Sequence, residues 1–246
     1  MREISSSIDP EEAARAAAHL EFWWNPEGPS RALHRINPAR LGIIRQNLLA
    51  HFHGDRCSMR PFDGLTLLDI GCGGGLVAEP MARLGFSVTA VDVDAEAIDA
   101  ARSHAEATGL AIDYHVATAE VIAAAGDRFD AVLALEVIEH LADPALFFAS
   151  LGALVRPGGA FVGATINRTP RSLILAIVAA EYILRWVPRG THDWRKFVSP
   201  SDFVLGLRRN GLVATQLVGL VYDPQGGKWS LSPDLRVNYM VAAARR

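Results

Sequence analysis

The chain has 246 residues, half of them hydrophobic, and a formal net charge of -3, which suits one domain with extensions, or at most two small ones, and is enough for a large core. The near-neutral charge gives no sign of a nucleic-acid-binding domain, so no nucleic acid is expected as a partner. Two cysteines, Cys57 and Cys72, make no disulfide framework and fit a reducing compartment.

The N-terminal residues are acidic and have no apolar core, so neither a secretory signal nor a transit peptide is expected. Asp9-Pro10-Glu11-Glu12 carries the cap, first-position proline and capping-box spacing of a helix start. An alanine-rich helix follows and ends near Trp23-Trp24-Asn25-Pro26. A second helical pattern covers residues 33–50, beginning after Asn37-Pro38. Together residues 1–64 form a helical cap.

Strands and helices then alternate. Residues 65–70 read as a strand before a glycine turn, 76–84 as a helix, 87–91 as a strand ending at Asp92, and 95–108 as a helix ending at Gly109. Residues 112–116 read as a strand, 129–135 as a buried strand, and 144–155 as a helix. Pro157-Gly158-Gly159 turns the chain into a strand at 161–165. This alternation predicts an α/β fold with a mostly parallel sheet covered by helices on both faces. The core spans residues 65–166. Residues 167–200 interrupt it with one apolar helix, 172–187, too short for a comfortable membrane span, and a polar loop. Residues 201–246 supply a helix and two strand-like runs, 213–221 and 237–243. Asp223-Pro224-Gln225-Gly226-Gly227 between these runs predicts an antiparallel hairpin.

Two segments carry chemistry. In Asp69-Ile70-Gly71-Cys72-Gly73-Gly74-Gly75, glycines let the backbone turn sharply beside a ligand, and the next helix offers free N–H groups to an anion. Asp92, 23 positions after Asp69, ends the next strand, where a carboxylate can take both hydroxyls of a ribose. A nucleoside cofactor is thereby specified. Counted from Gly71, the dinucleotide pattern fails at Leu76; counted from Gly73, a relaxed form fits through Gly75 and Ala78, so a nicotinamide enzyme stays open. The D-x-G-x-G-x-G form instead resembles motif I of class I methyltransferases. In the second segment, Glu136, Glu139 and His140 stand at i, i+3 and i+4, one face of a helix if a helix begins there. The trio suits a divalent cation; the alternative is a role in packing or helix termini. His140 or His192 can otherwise serve as general base.

The chain is similar to the UbiG family of ubiquinone-biosynthesis O-methyltransferases. The likeness rests on Phe22-Trp23-Trp24-Asn25-Pro26-Glu27-Gly28, Leu33-His34-Arg35-Ile36-Asn37-Pro38-Ala39-Arg40, the glycine segment from Leu68, Glu136-Val137-Ile138-Glu139-His140, the run from Ala180 to Trp194, and Val237-Asn238-Tyr239-Met240. It implies a class I, Rossmann-like fold dependent on S-adenosylmethionine. The implied reaction is methylation of 2-polyprenyl-6-hydroxyphenol and 3-demethylubiquinol. It also implies cofactor contacts from Arg40, Gly71, Asp92 and Leu135 and, as in members that depend on a metal, a metal set of Glu136, Glu139 and His140 for Mg, Zn or Mn. Gly73 is read as a further cofactor contact, and His140 and Glu136 as the catalytic residues. A polyprenyl substrate lives in a bilayer. The apolar helix, with Arg168, Arg171, Arg185, Arg189, Arg195 and Lys196 around it, therefore reads as a lid docking residues 167–196 on a membrane surface. The expected location is cytoplasmic, peripheral on the inner face of the plasma membrane, with a ubiquinone-biosynthesis protein complex as a further partner. A methyltransferase-like subunit without catalysis is the non-enzymatic alternative; it would need the glycine loop for folding but not Glu136, Glu139 or His140.

Overall fold

The computed structural model describes residues 6–8, 23–28, 30–175 and 193–246. The helix expected from Asp9, most of the apolar helix of the lid, and His192 lie outside the described residues.

Eight strands form one sheet: β1 (Thr66–Ile70), β2 (Ser87–Asp92), β3 (Asp113–Val116), β4 (Phe129–Leu135), β5 (Val155–Ile166), β6 (Leu212–Asp223), β7 (Lys228–Ser232) and β8 (Asn238–Arg245). Their order is β3-β2-β1-β4-β5-β8-β6-β7. The first five run parallel, and β8, β6 and β7 continue antiparallel. The order reverses between β1 and β4, the place where open α/β sheets leave a crevice beyond their strand ends.

Among the described residues the longer helices are α1 (Arg31–Phe52), α2 (Ala78–Arg83), α3 (Ala95–Ala107), α4 (Ala119–Ala125), α5 (Pro144–Leu154) and α6 (Pro200–Arg209). Local chemistry starts several of them. Asp94 accepts from the Glu96 N–H at α3, Asp143 from the Ala145 and Leu146 N–H groups at α5, and Ser199 from the Asp202 N–H at α6. Each satisfies a donor that the first helical turn leaves open. Alternation along the strands splits the core in two. Leu67, Leu133 and Val162 face α1, α2 and α3, whereas Leu68, Val132 and Phe161 face α5 and α6.

Three expectations need correction. Helix α1 runs through Pro38 instead of beginning after it; Ile36, Asn37 and Arg40 are buried on both sides of the proline, and that packing outweighs one missing hydrogen bond. The short α4 was not anticipated, because seven alanine-rich residues show no readable period. Its markers are a Thr118 cap and a left-handed Gly126. Finally, the 223–227 turn does not join the two expected runs. It joins β6 to β7, and the 237–243 run pairs with the other edge of β6. Residues 157–159 do turn, but as a bulge inside a continuous β5: the register with β4 jumps from Phe129↔Val155 to Ala131↔Ala160.

Phe203 of α6 is 1% exposed and packs edge-on against Phe148 and Tyr239, with ring centroids 5.3 and 6.3 Å away. Phe203→Ala should cost about 3–5 kcal/mol through lost burial and a residual cavity, read as a lower urea midpoint with an unchanged slope.

Candidate functional site

The chain leaves β1 at Ile70 and turns back on itself. Gly71 and Gly73 take φ of 69° and 50°, in the left-handed region that costs other residues. This folds the loop onto the end of β2. Gly71 and Cys72 donate their N–H groups to the Val91 carbonyl, at 2.8 and 3.1 Å. The Asp92 carboxylate accepts from the Gly73 N–H at 2.8 Å and from the Asp94 N–H at 3.0 Å. A Cβ on Gly71 would lie 2.5 Å from a methyl of Val137, so β4's following turn also presses on the loop.

Beyond these strand ends lies a cavity of about 300 Å³. Arg40, Gly71, Gly73, Asp92, Leu135, Glu136 and His140 all line it. Residues that the sequence spreads over a hundred positions therefore share one wall. The cavity also takes in Ser7 and Ile8, Trp23, Asn37, Asp69, the 117–120 turn and Phe147, none of them anticipated as site residues. The 117–120 turn had a signal, since it follows a strand end in a parallel sheet; Trp23 had none beyond its place in the family motif.

The polar groups suit a ligand carrying charges of both signs. Asp69 is 2% exposed and its Oδ2 has no hydrogen-bond partner. Burial, then the neighbouring Asp92 charge, pushes its carboxyl up to about 7. Burial likewise raises Asp92, against the stabilising N–H groups of Asp94 and Gly73. Arg40, 4% exposed, pairs through Nη2 with Glu136 Oε1 at 2.5 Å, while its Nε has no partner. The expected cation of the cap is thus in the wall, with one edge on Glu136 and another uncommitted.

The second segment differs from its expectation. Glu136 adopts φ of 56°, a rare conformation for a side-chain-bearing residue that concentrates at functional sites. The helix that follows is a single 3₁₀ turn, Ile138–His140, so the trio does not share an α-helical face. Glu136 turns to Arg40. Glu139 is 3% exposed and accepts from the Thr165 hydroxyl at 2.8 Å. Burial and the adjacent Glu136 charge hold it well above the usual carboxylate range. Only Glu136 and His140 reach the cavity. Among the described residues no group of three or more His, Cys, Asp or Glu is placed to hold a metal ion. No step is routed through a metal at Glu136, Glu139 and His140.

Asp69 generates a pH prediction. Its folded value near 7 lies above the ordinary 3.8, so folding favours the protonated form. The stability Asp69 contributes is full below about pH 4 and is lost as pH rises toward 7. Relative to Asp69→Asn, the wild type should lose up to about 1.4 kcal/mol per pH unit in that window and nothing more above it. Urea unfolding of both proteins from pH 5 to 8 measures this; a pH-independent difference would contradict it.

Residues 42–217 match a family described as a methyltransferase domain. A ubiquinone biosynthesis O-methyltransferase of Cereibacter sphaeroides (strain KD131 / KCTC 12085) is 49% identical over 245 residues, 99% of each chain. A protein of the same name from Methylobacterium sp. (strain 4-46) is 51% identical over 239 residues, 97% of this chain and 96% of that one. Among solved structures, magnesium protoporphyrin IX methyltransferase from Synechocystis PCC 6803 with bound SAM superposes with a TM-score of 0.60 at 14% identity, covering 98% of this chain and 100% of that chain. A protein from Pyrococcus horikoshii OT3 gives 0.63 at 14% identity, covering 97% and 100%. These two share the fold of the sheet and its covering helices. The loop geometry, the cavity beyond the strand ends and near-half identity along almost the whole length agree: the chain belongs to the ubiquinone biosynthesis O-methyltransferase family.

Proposed function

We propose that the cavity takes S-adenosylmethionine and that the chain methylates phenolic hydroxyls of polyprenylated ubiquinone precursors, 2-polyprenyl-6-hydroxyphenol and 3-demethylubiquinol. One observation carries this reading: the glycine loop, Asp92, Arg40, Glu136 and His140 line a single cavity at the sheet's switch point.

When bound, the cofactor supplies a methyl group activated on a sulfonium. The rest falls to the chain. Asp92 keeps acceptor capacity beyond its two backbone donors and is placed for ribose hydroxyls. Arg40, through its uncommitted Nε, suits a carboxylate. The Asp69 carboxylate answers a positive charge, which would lower its raised pKa. The protein must hold the phenol oxygen in line with the methyl and remove its proton. His140 is the base within the cavity wall suited to that step. Glu136, fixed by Arg40, sets the wall beside it. This assigns His140 and Glu136 as the catalytic pair, and Arg40, Gly71, Gly73, Asp92 and Leu135 as cofactor contacts.

The lipid substrate suggests a membrane-facing lid. No helix among the described residues is long and apolar enough to cross a membrane. The helix that opens the lid starts at Pro170 under a Thr169–Ser172 capping box. Its next residues, Leu173, Ile174 and Leu175, are 40%, 58% and 42% exposed. Arg168 and Arg171 flank them, paired with Asp202 at 3.2 Å and Asp234 at 3.5 Å. Exposed apolar side chains beside cations suit an anionic bilayer surface. Residues 167–196 are therefore the proposed contact with the inner face of the plasma membrane, where a biosynthetic complex would also assemble.

Two measurements test these readings. Labelled S-adenosylmethionine and a short-chain catechol should yield the methyl ether, and His140→Asn should lower kcat by about 10²-fold or more while leaving S-adenosylhomocysteine affinity largely intact. No turnover by the folded wild type would contradict the activity; NADH binding in its place would favour the oxidoreductase reading. In liposome flotation, a folded Leu173→Ser, Ile174→Ser, Leu175→Ser protein should stay with the bottom fraction while the wild type floats. Equal flotation would end the lid proposal.

A further inference from the structure

The segment just before α1 is pinned at three points, to α1, to the glycine loop and to α3. His34 Nε2 holds the Trp23 carbonyl at 2.8 Å. The Trp24 indole donates to the Gly74 carbonyl at 2.9 Å. The Trp24 ring also stacks on His104 of α3, with centroids 3.5 Å apart and planes within 5°. His104 is itself fixed by the buried Glu79 carboxylate, 2.5 Å from its Nδ1. An exposed loop end would need no such anchoring.

What the pins hold in place is the Trp23 ring, which lies across Gly73 and Gly74. A Cβ on Gly74 would come within 2.2 Å of Trp23 Cγ, and one on Gly73 within 2.4 Å of Cη2. Gly74 has no positive φ, so its backbone does not ask for glycine; the tryptophan does. Part of the glycine run is therefore there to seat an indole against the loop.

That indole lines the cavity, and its Nε1–H is buried with no acceptor. A buried donor left unpaired is destabilising until a ligand satisfies it. A second uncommitted buried donor in the same wall is Arg40 Nε. Two such donors, one of them cationic, are complementary to an anion. Asp69 Oδ2, an uncommitted acceptor in the same wall, complements a cation. Together they match the zwitterionic end of an amino acid. We propose that Trp23 is a cofactor-contacting residue: its indole N–H donates to the carboxylate of the cofactor's amino-acid end, beside Arg40, while its ring closes that end of the site over Gly73 and Gly74. The inference rests on the cavity being the S-adenosylmethionine site.

The test separates the donor from the packing. Trp23→Phe keeps an aromatic ring over the glycines and removes the N–H. Calorimetry is run with S-adenosylhomocysteine and with 5′-methylthioadenosine, a related nucleoside without the amino-acid end. Trp23→Phe should weaken S-adenosylhomocysteine about tenfold and leave methylthioadenosine unchanged. Equal losses for both ligands, or no loss for either, would overturn the assignment. In wild-type protein labelled with 15N-tryptophan, one indole N–H resonance should move downfield with S-adenosylhomocysteine and stay put with methylthioadenosine. That readout decides the matter even if Trp23→Phe does not fold, and no ligand-specific shift would overturn the proposal. A folded wild type that binds neither nucleoside would overturn the cavity reading as well.

Discussion

The hydrogen bond from the Gly73 N–H to the Asp92 carboxylate is the constraint on which the site depends. It ties the turn after β1 to the end of β2 at 2.8 Å. The two donations to Val91 from Gly71 and Cys72 reinforce it. A loop held this way cannot relax into an ordinary connection. It keeps its left-handed glycines, leaves room beyond the strand ends, and presents Asp92 with lone pairs to spare. Cofactor binding is then a matter of filling a shaped space, with little ordering left to do.

Charge organises the rest of the wall. The cap reaches the sheet through Arg40, whose partner, Glu136, sits at the turn after β4 in a strained backbone conformation. The pair thus joins the segment before the sheet to the segment that carries His140. The Asp92 charge helps raise the Asp69 carboxyl, and a cationic ligand would relieve that repulsion. Glu139 is drawn away from this chemistry: its buried carboxyl braces β5 through Thr165. Adjacent residues in one short motif therefore divide into one that lines the cavity and one that holds the sheet.

The parts legible in the sequence were those set by local rules. Glycines that demand left-handed φ, Asp92 at a strand end, and the caps Asp143 and Pro144 are written in neighbouring residues, so β1, β2, β4 and the start of α5 fell where expected. The parts that were not legible depend on what lies across space. Pro38 sits inside α1 because both sides of that turn are buried. Residues 237–243 pair with the far edge of β6 because β7 takes the near one. The spacing of Glu136, Glu139 and His140 suggested one helical face, but the positive φ at Glu136 breaks that face at its first residue. The role of Gly74 could not be read without Trp23 lying over it.

The most direct test is calorimetric titration of S-adenosylhomocysteine into the wild type and Asp92→Ala. The wild type should bind, and the folded Asp92→Ala protein should lose affinity by about 100-fold, since the substitution removes both the ribose acceptor and the anchor of Gly73. Binding by Asp92→Ala equal to that of the wild type, or no binding by a folded wild type, would contradict the account.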